Sequence, residues 1–288
     1  MGGAAAWLPH PLGHGTAQRA HVPYPDHVFI WLPPSEGKTA PATGPALDHA
    51  HLAFPQLYEA RRQLATILAT TDGDVGNAVN GAILHSPCAP ARTLFSGVLF
   101  AAARLSHLEP LAHTRALKTV RIFSGLFGVV LPDDLVPDHR LPMATTIPGL
   151  GSLATFWRPH LDLALANEAA EDLILDCRSG AYRTACRAPW AHVVELAVVR
   201  QSCGKRCVIS HDAKRWRGLA TAAFLAAPTS PADIQDADEL ASHLHSHLDA
   251  IVATDAKGVD HHAIAVELTQ AKYTKQGGSH RIATLVTD

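Results

Sequence analysis

The chain has 288 residues and a formal net charge of −2, from 24 Lys and Arg against 26 Asp and Glu with His counted as neutral. This balance argues against nucleic-acid binding over the whole surface, so a DNA site would need a local basic cluster. The hydrophobic fraction of 47% is sufficient for a large core, but the apolar runs are too short to cross a bilayer. No secretory signal is visible at residues 1–20, and we therefore expect a cytoplasmic protein.

Residues 1–26 contain several Pro and Gly and show no hydrophobic periodicity, which predicts a mobile extension ahead of a single domain over residues 27–288. Short apolar runs rich in β-formers predict strands at Val28–Leu32, Thr119–Phe123, Asp172–Asp176, Ala191–Val199, Arg206–Ile209, Ala263–Leu268 and Arg281–Val286. Helical spacing of apolar residues predicts helices at Pro55–Thr70, Ala91–Leu105, Ser152–Ala169, Asp212–Ala226 and Pro231–Ile251. Pro159 is expected to kink or split the third helix. This mixed order predicts an α/β fold, a compact mixed sheet surrounded by helices.

Four of the predicted strands lead directly into polar clusters. The clusters are Pro33–Thr39, Ser124–Gly128, Arg178–Tyr182 and Ser210–Lys214, the last with Arg217 one turn further on. Ligands of α/β sheets gather outside the carboxyl ends of the strands. If these strands are parallel, the side chains expected to converge are those of Ser35, Lys38, Arg178, Tyr182, Lys214 and Arg217. Lys, Arg, hydroxyl and backbone N–H groups suit an anion such as a phosphate or carboxylate, although each motif alone is also typical of a capped turn.

The segment Ser124–Gly128 has a second interpretation. Small residues flank Leu126 and Phe127, and Pro132 and two Asp follow. This pattern is compatible with a tight turn between two short helices, which presents backbone N–H groups to a DNA phosphate. A plain loop explains the same residues, because Gly-x-x-Gly is common.

Taken together, the motifs resemble the YaaA-type peroxide-stress protein family. The matching stretches appear in family order from about residue 28 to 268: LPPSEGKT (32–39), FSG (95–97), SGLFGVVLPDDLVPDHRLPM (124–143), FW (156–157), DCRSGAYRTACRAP (176–189) and SHDAKRWRG (210–218). The resemblance implies a single α/β domain with a deep cleft. It also implies a helix-hairpin-helix-like element for duplex DNA, expected here at Ser124–Leu135, and a cytoplasmic role in limiting oxidative damage to DNA.

Under this DNA-binding hypothesis, Lys214, Arg215 and Arg217 contact phosphates and residues 125–128 supply backbone N–H groups. The sequence also departs from the family pattern. The surroundings of the motifs are rich in Ala and poor in Lys, Phe95 and His139 stand where Tyr is usual, and His211, Asp212 and Trp216 decorate the last motif. Divergence around a retained cleft favours an alternative hypothesis, a biosynthetic enzyme that acts on a small anionic or carbonyl-containing substrate.

The enzyme hypothesis assigns chemical roles to residues of the same motifs. Lys38 and Lys214 would bind or polarise the substrate, and Arg178 would contact a carboxylate or phosphate. Tyr182 and Asp176 would relay a proton, and His211 is the most versatile of the variable residues. The candidates for ligand or anion binding are Ser35, Thr39, Ser124, Gly125, Gly128, Arg140, Ser179 and Arg217. A third hypothesis is a non-catalytic interaction scaffold in which Arg178 and Asp176 simply pair.

We expect neither a metal nor a cofactor. The five cysteines are an odd number in a long chain, which argues against a disulfide framework. The pair at 203 and 207 lacks a second pair at zinc spacing. His243 and His247 lie one helical turn apart without an HExxH motif, so a solvated helix face explains them.

Overall fold

The computed structural model describes residues 28–71, 83, 85–169, 172–202, 204–209 and 212–288. The predicted N-terminal extension therefore lies outside the described residues. The strands are β1 (Val28–Leu32), β2 (Cys88–Pro90), β3 (Val120–Ser124), β4 (Gly128–Val130), β5 (Leu135–Pro137), β6 (Thr146–Ile147), β7 (Gly151–Ser152), β8 (Leu173–Asp176), β9 (His192–Ser202), β10 (Lys205–Val208), β11 (Val252–Thr254), β12 (Asp260–Leu268), β13 (Lys272–Tyr273) and β14 (Ser279–Thr287).

The α-helices are α1 (Tyr58–Ala69), α2 (Ala91–Leu94), α3 (Val98–Ala102), α4 (Pro110–Thr119), α5 (Leu153–Ala169), α6 (Gly180–Ala185), α7 (Ala213–Ala226) and α8 (Ala237–Ser246). Short 3-10 turns lie at Pro55–Leu57, Leu105–His107, Pro231–Asp233 and Leu248–Ala250. Within the described part of the chain, no helix combines the length and the apolar composition needed to cross a membrane.

Ten strands form one mixed sheet, which confirms the predicted fold class. The order is β11-β12-β14-β9-β8-β1-β3-β4, with β10 added to β9 and β13 to β14. The five central strands β14, β9, β8, β1 and β3 are parallel to one another. Antiparallel strands flank this group on both sides, β12 beside β14 and β4 beside β3. All five residues of β1 are buried, as expected for a central parallel strand covered on both faces.

Parallel β8, β1 and β3 end at the same edge of the sheet, so the segments that follow them meet there. The condition for convergence, that the strands before the polar motifs are parallel, is thus met for three of the four. It is not met for the fourth, because β10 is the antiparallel return of a hairpin with β9. The turn of that hairpin is at Gly204, where φ is +74°.

Two predicted helices are shorter than expected. The predicted helix Ala91–Leu105 is divided into α2, α3 and a 3-10 turn, because Ser96 and Gly97 interrupt it where the chain meets the loop after β1. The predicted helix Pro231–Ile251 is a 3-10 turn, then α8, then a second 3-10 turn. α8 begins where the Asp236 carboxylate accepts the backbone N–H groups of Asp238 and Glu239. Pro159 does not split its helix, since α5 continues through it.

Candidate functional site

A cleft of about 220 Å³ opens at the shared carboxyl edge of β8, β1 and β3. Its wall is built from the segments that follow these strands, from one extended stretch of the chain, and from the start of α7. The lining residues are Pro34, Ser35, Glu36, Lys38, Phe95, Gly125, His139, Arg140, Leu141, Pro142, Met143, Ala144, Ser179, Ala181, Tyr182 and Lys214. The structure therefore brings together Ser35, Lys38, Gly125, Arg140, Ser179, Tyr182 and Lys214 from the candidates named above.

Beneath the cleft, Arg178 and Asp176 form a buried ion pair. The guanidinium Nε and Nη2 each donate to one carboxylate oxygen of Asp176 at 2.9 Å, and further N–H groups donate to the carbonyls of Tyr182 and Cys186. The guanidinium carbon also lies 4.4 Å and 4.2 Å from the ring centroids of Trp31 and Phe123. Neither charged residue lines the cleft, so the pair holds the loop that carries Ser179 and Tyr182.

Burial alone would raise the pKa of Asp176. The charge and hydrogen bonds of Arg178 outweigh that effect, with a smaller contribution from Arg183, and the pKa is lowered. The carboxylate is therefore ionised at neutral pH and unsuited to receiving a proton. Asp176 and Arg178, both predicted as catalytic, therefore pair with each other, as the scaffold hypothesis expected.

The loop after β1 is pinned to the segment that precedes α3. Ser35 Oγ accepts the Gly97 N–H at 2.7 Å, and the Ser96 and Thr39 N–H groups donate to the carbonyls of Gly37 and Leu94. A β-carbon on Gly97 would collide with Ser35 Oγ, so only glycine allows this close approach. The exposed side chain of Thr39 does not line the cleft.

Lys38 is the most perturbed cation of the cleft. Its Nζ lies 5.6 Å from the centroid of the Phe95 ring. Burial lowers the pKa of Lys38 below its ordinary value; Arg140 lowers it further, whereas Asp138 and Glu36 oppose the shift. A lowered pKa increases the fraction of neutral amine at neutral pH, and the neutral form is the nucleophile and proton acceptor.

We call the extended stretch opposite Lys38, residues 138–144, the strap. Its residues alternate between exposed and buried: positions 138, 140, 142 and 144 are exposed, whereas His139, Leu141 and Met143 are buried. The Leu141 carbonyl lies against Gly125, where a β-carbon would collide with it. The backbone N–H of Met143 donates to the Tyr182 hydroxyl at 3.4 Å. The strap is thus anchored through every second residue.

His139 is the deepest of these anchors. Its Nδ1 lies 2.8 Å from the carbonyl of Pro137, and its Nε2 lies 3.1 Å from Ser124 Oγ. The carbonyl can only accept, so Nδ1 carries the proton and Nε2 accepts from the Ser124 hydroxyl. Ser124 Oγ in turn accepts the backbone N–H groups of Leu126 and Phe127. Burial lowers the pKa of His139 to about 4, so the ring is neutral at pH 7.

Tyr182, a residue of α6, completes the cleft wall next to the strap. Burial raises the pKa of Tyr182 to about 12, so its hydroxyl keeps its proton at neutral pH. Lys214, at the start of α7, completes the wall. Arg217, one turn further on, does not line the cleft, because its Nε donates to the carbonyl of Leu196 at 2.9 Å.

Comparison with known sequences identifies the relatives of this cleft. The sequence profile of a family described as peroxide stress protein YaaA matches residues 30–245, which is more than half of the chain. The chain belongs to the YaaA family. The match spans the loop after β1, the strap, α6 and α7, so the whole cleft lies within the family region.

Individual YaaA-family relatives show the same extent of similarity. A UPF0246 protein of Streptomyces coelicolor is 33% identical over 230 residues, which cover 73% of this chain and 88% of the relative. A UPF0246 protein of Corynebacterium efficiens is 36% identical over 231 residues, which cover 74% and 90%. A third, from Corynebacterium glutamicum, is 34% identical over 208 residues, which cover 66% and 82%.

The helix-hairpin-helix predicted at Ser124–Leu135 is wrong for this YaaA-family chain. The stretch is the end of β3, a tight turn and β4, followed by the start of β5. Residues 124–130 are all buried, and Gly128, at φ +74°, packs against the ring of Trp157. The β-branched Val129 and Val130 favour a strand here. The N–H groups of Leu126 and Phe127 bind Ser124 Oγ, so they are not directed at a ligand.

Sequence reasoning missed the strap as a wall of the YaaA cleft. His139 and Asp138 lie in a Pro-rich stretch without regular periodicity. Glu36, two positions before Lys38, was not among the predicted site residues. Three polar residues precede three apolar ones in Asp138–Met143, so the sequence does not show the alternation of burial that the structure has. His211 was proposed as catalytic and lies outside the described residues.

Proposed function

We propose that the cleft is the active site of an enzyme that acts on a small anionic, carbonyl-containing substrate, with Lys38 as the reactive amine. The observation that carries this proposal is the half-buried Lys38, whose pKa is lowered, in a concave site with two further cations. A partly buried lysine with a lowered pKa in a cleft is a candidate catalytic amine.

The charges of the cleft support an anionic substrate. Three of its lining residues are cations, Lys38, Arg140 and Lys214, and Glu36 is the one carboxylate among the lining residues that the structure describes. A cavity of about 220 Å³ suits a metabolite rather than a polymer.

The chemistry proposed for Lys38 follows from its neutral fraction. The amine attacks the substrate carbonyl carbon, and loss of water then gives an imine on Nζ. Arg140 and Lys214 hold the anionic group, and Tyr182 keeps a proton that it can donate to the departing oxygen. The buried ion pair of Arg178 and Asp176 holds the segment that carries Tyr182 in place.

Trapping of the imine tests this proposal. The protein is incubated with pyruvate and cyanoborohydride, which reduces an imine to a stable secondary amine, and the labelled lysine is mapped by peptide mass spectrometry. We expect labelling at Lys38 faster than at Lys257, an exposed lysine in a turn. Lys38→Arg, which keeps the charge but not the nucleophile, is the matched control. Equal labelling of Lys38 and Lys257 would contradict the role of Lys38.

A second candidate function is a role in the peroxide stress response, which the description of the matching family supports, with duplex DNA as the proposed partner. Lys214 and Arg140 at the cleft would then contact phosphates. Two of the three basic residues predicted for this role already bind carbonyls, Arg215 that of Thr254 and Arg217 that of Leu196. We therefore place this function second.

Fluorescence anisotropy with a labelled duplex tests the second candidate. Saturable binding that weakens by about 10³ between roughly 50 and roughly 200 mM salt would support it, if some six phosphates are contacted. Binding should also weaken in Lys214→Ala. Absence of binding at the lower salt would exclude DNA as the partner.

A further inference from the structure

The mouth of the cleft carries charges of both signs. A second cavity of about 280 Å³ is lined by Glu36, Lys38, Asp138, His139 and Arg140. Four of these residues also line the cleft, so the two cavities are continuous. Glu36 and Lys38 come from the loop after β1, and Asp138 and Arg140 come from the strap.

Within the described parts of the chain these four charged side chains lack oppositely charged partners, although Lys38 lies over the Phe95 ring. Among the residues that the structure describes, none of the four makes a side-chain hydrogen bond or an ion pair within 4.0 Å, although Lys38 lies in the fields of the other three. Two arginines elsewhere show what a paired charge looks like in this protein: Arg121 binds Glu168 at 2.6 Å and Arg206 binds Glu267 at 2.7 Å. Unpaired charges of opposite sign around one cavity indicate a ligand that supplies the partners.

The backbone explains why the four charges do not collapse onto one another. Lys38 is paired through its backbone with Phe95, and the buried ring of His139 fixes the strap between Asp138 and Arg140. Glu36 and Lys38 from one segment and Asp138 and Arg140 from the other all line this one cavity. Each segment therefore presents one anion and one cation to the same space.

We propose that the cleft binds a zwitterion, a substrate that carries an ammonium group as well as a carboxylate. This inference rests on the proposed function and names its substrate class. The carboxylate binds Arg140 and Lys214, the ammonium group binds Glu36 and Asp138, and Lys38 stays free to react. A simple dianion would meet two carboxylates at the entrance and be disfavoured.

Matched ligands that differ only in the amine test this inference. β-Alanine and γ-aminobutyrate are compared with propionate and butyrate, and dissociation constants are measured by ligand-observed NMR. We expect the better amino acid to bind at least about tenfold more tightly than its carboxylate counterpart. Which chain length binds better reports the spacing between the cationic and anionic arms.

Charge-neutral variants assign the effect to the mouth. Glu36→Gln and Asp138→Asn should each reduce the advantage of the amino acid several-fold and leave the affinity for butyrate unchanged or higher. Asp249→Asn, an exposed carboxylate outside the cleft, is the matched control and should retain the full advantage.

The outcomes separate this inference from the proposed function. Equal binding of γ-aminobutyrate and butyrate, or an advantage that survives both variants, would overturn zwitterion recognition. Labelling of Lys38 by pyruvate would still support the enzyme in that case. Absence of binding by all four ligands would overturn zwitterion recognition too, and the imine test would then decide on the enzyme independently.

Discussion

The guanidinium of Arg178 is buried, and it contacts one carboxylate, two carbonyl groups and two aromatic rings in place of water. Replacing Arg178 with Met would remove both guanidinium hydrogen bonds from the buried Asp176 carboxylate, and Arg183 Nε, at 3.6 Å, is too distant to replace them. We expect Arg178→Met to lower the free energy of unfolding by about 3–5 kcal/mol, measured by urea denaturation.

Arg140→Met is the matched control, because Arg140 is exposed and makes no hydrogen bond to a described residue. It should change the free energy of unfolding by less than about 0.5 kcal/mol and should weaken anion binding. Equal destabilisation by the two substitutions would show that Arg178 is not a structural residue.

His139 makes stability depend on pH. Its pKa is about 4 in the folded protein and 6.5 ordinarily, so the unfolded chain binds more protons between these values and stability is lost as pH falls from about 6.5 to about 4. His139→Gln keeps an acceptor for Ser124 and a donor for Pro137 without this titration. Between about pH 7 and about pH 4.5, the unmodified protein should lose about 2 kcal/mol more than the variant.

Urea denaturation at the two pH values measures this difference. The pKa of His243 is also lowered to about 4, but His243 is present in both proteins and its contribution cancels. Parallel pH profiles for the two proteins would mean that His139 does not carry the effect.

At the level of elements, the cleft depends on the contact between the loop after β1 and the segment before α3. Gly97→Ala places a methyl group on Ser35 Oγ and must displace one of the two segments. We expect destabilisation of about 1–3 kcal/mol and at least about tenfold weaker binding of anionic probes, measured by thermal unfolding and ligand-observed NMR.

Gly180→Ala is the matched control at the first residue of α6. A β-carbon there meets no atom within 4 Å, so the substitution should be neutral or stabilising by up to about 1 kcal/mol. Unchanged probe binding in Gly97→Ala would contradict the proposed importance of this contact.

The elements that could be predicted are those whose signal is local. The VFIWL run gave the bounds of β1 correctly, and α5 was expected within one residue because its apolar stripe is long. The break at Ser96 and Gly97 arises from the contact of Gly97 with Ser35, 62 positions away, and no local pattern encodes it. The direction of β10 depends on a hairpin turn at Gly204, outside the motif that was considered.

At the level of the whole molecule, four of the ten strands of the sheet follow residue 245, where the family match ends. β14 lies between β9 and β12 and pairs with both along most of its length. Deletion of residues 279–288 would expose the edges of two long strands. We expect the truncated chain to lose its cooperative unfolding transition, measured by circular dichroism on heating.

Tyr273→Ser is the control for this deletion, since Tyr273 is 81% exposed on the short strand that also pairs with β14. It should shift stability by less than about 0.5 kcal/mol. A cooperative transition in the truncated chain would show that residues 28–278 fold by themselves.

The site was predictable where a charged residue follows a strand directly. Lys38 and Lys214 were found in this way and both line the cleft, whereas Arg178 and Asp176 gave the same signal and lie beneath it. Sequence spacing cannot distinguish a charge that faces a ligand from one that faces another charge. His139 and Asp138 were missed because their position depends on how the strap crosses the sheet edge, a long-range property.

Buried and exposed residues alternate along the strap, so selection for folding acts on one set of positions and selection for ligand binding acts on the other. Substitutions at 139, 141 and 143 alter the packing that keeps the segment in place, whereas substitutions at 138, 140, 142 and 144 alter the chemistry of the cleft at little cost in folding. A library randomised at these four exposed positions should therefore yield mostly folded proteins with different ligand preferences. Substitutions at the exposed positions of the strap can therefore change which substrate the cleft binds while the free energy of unfolding stays nearly the same.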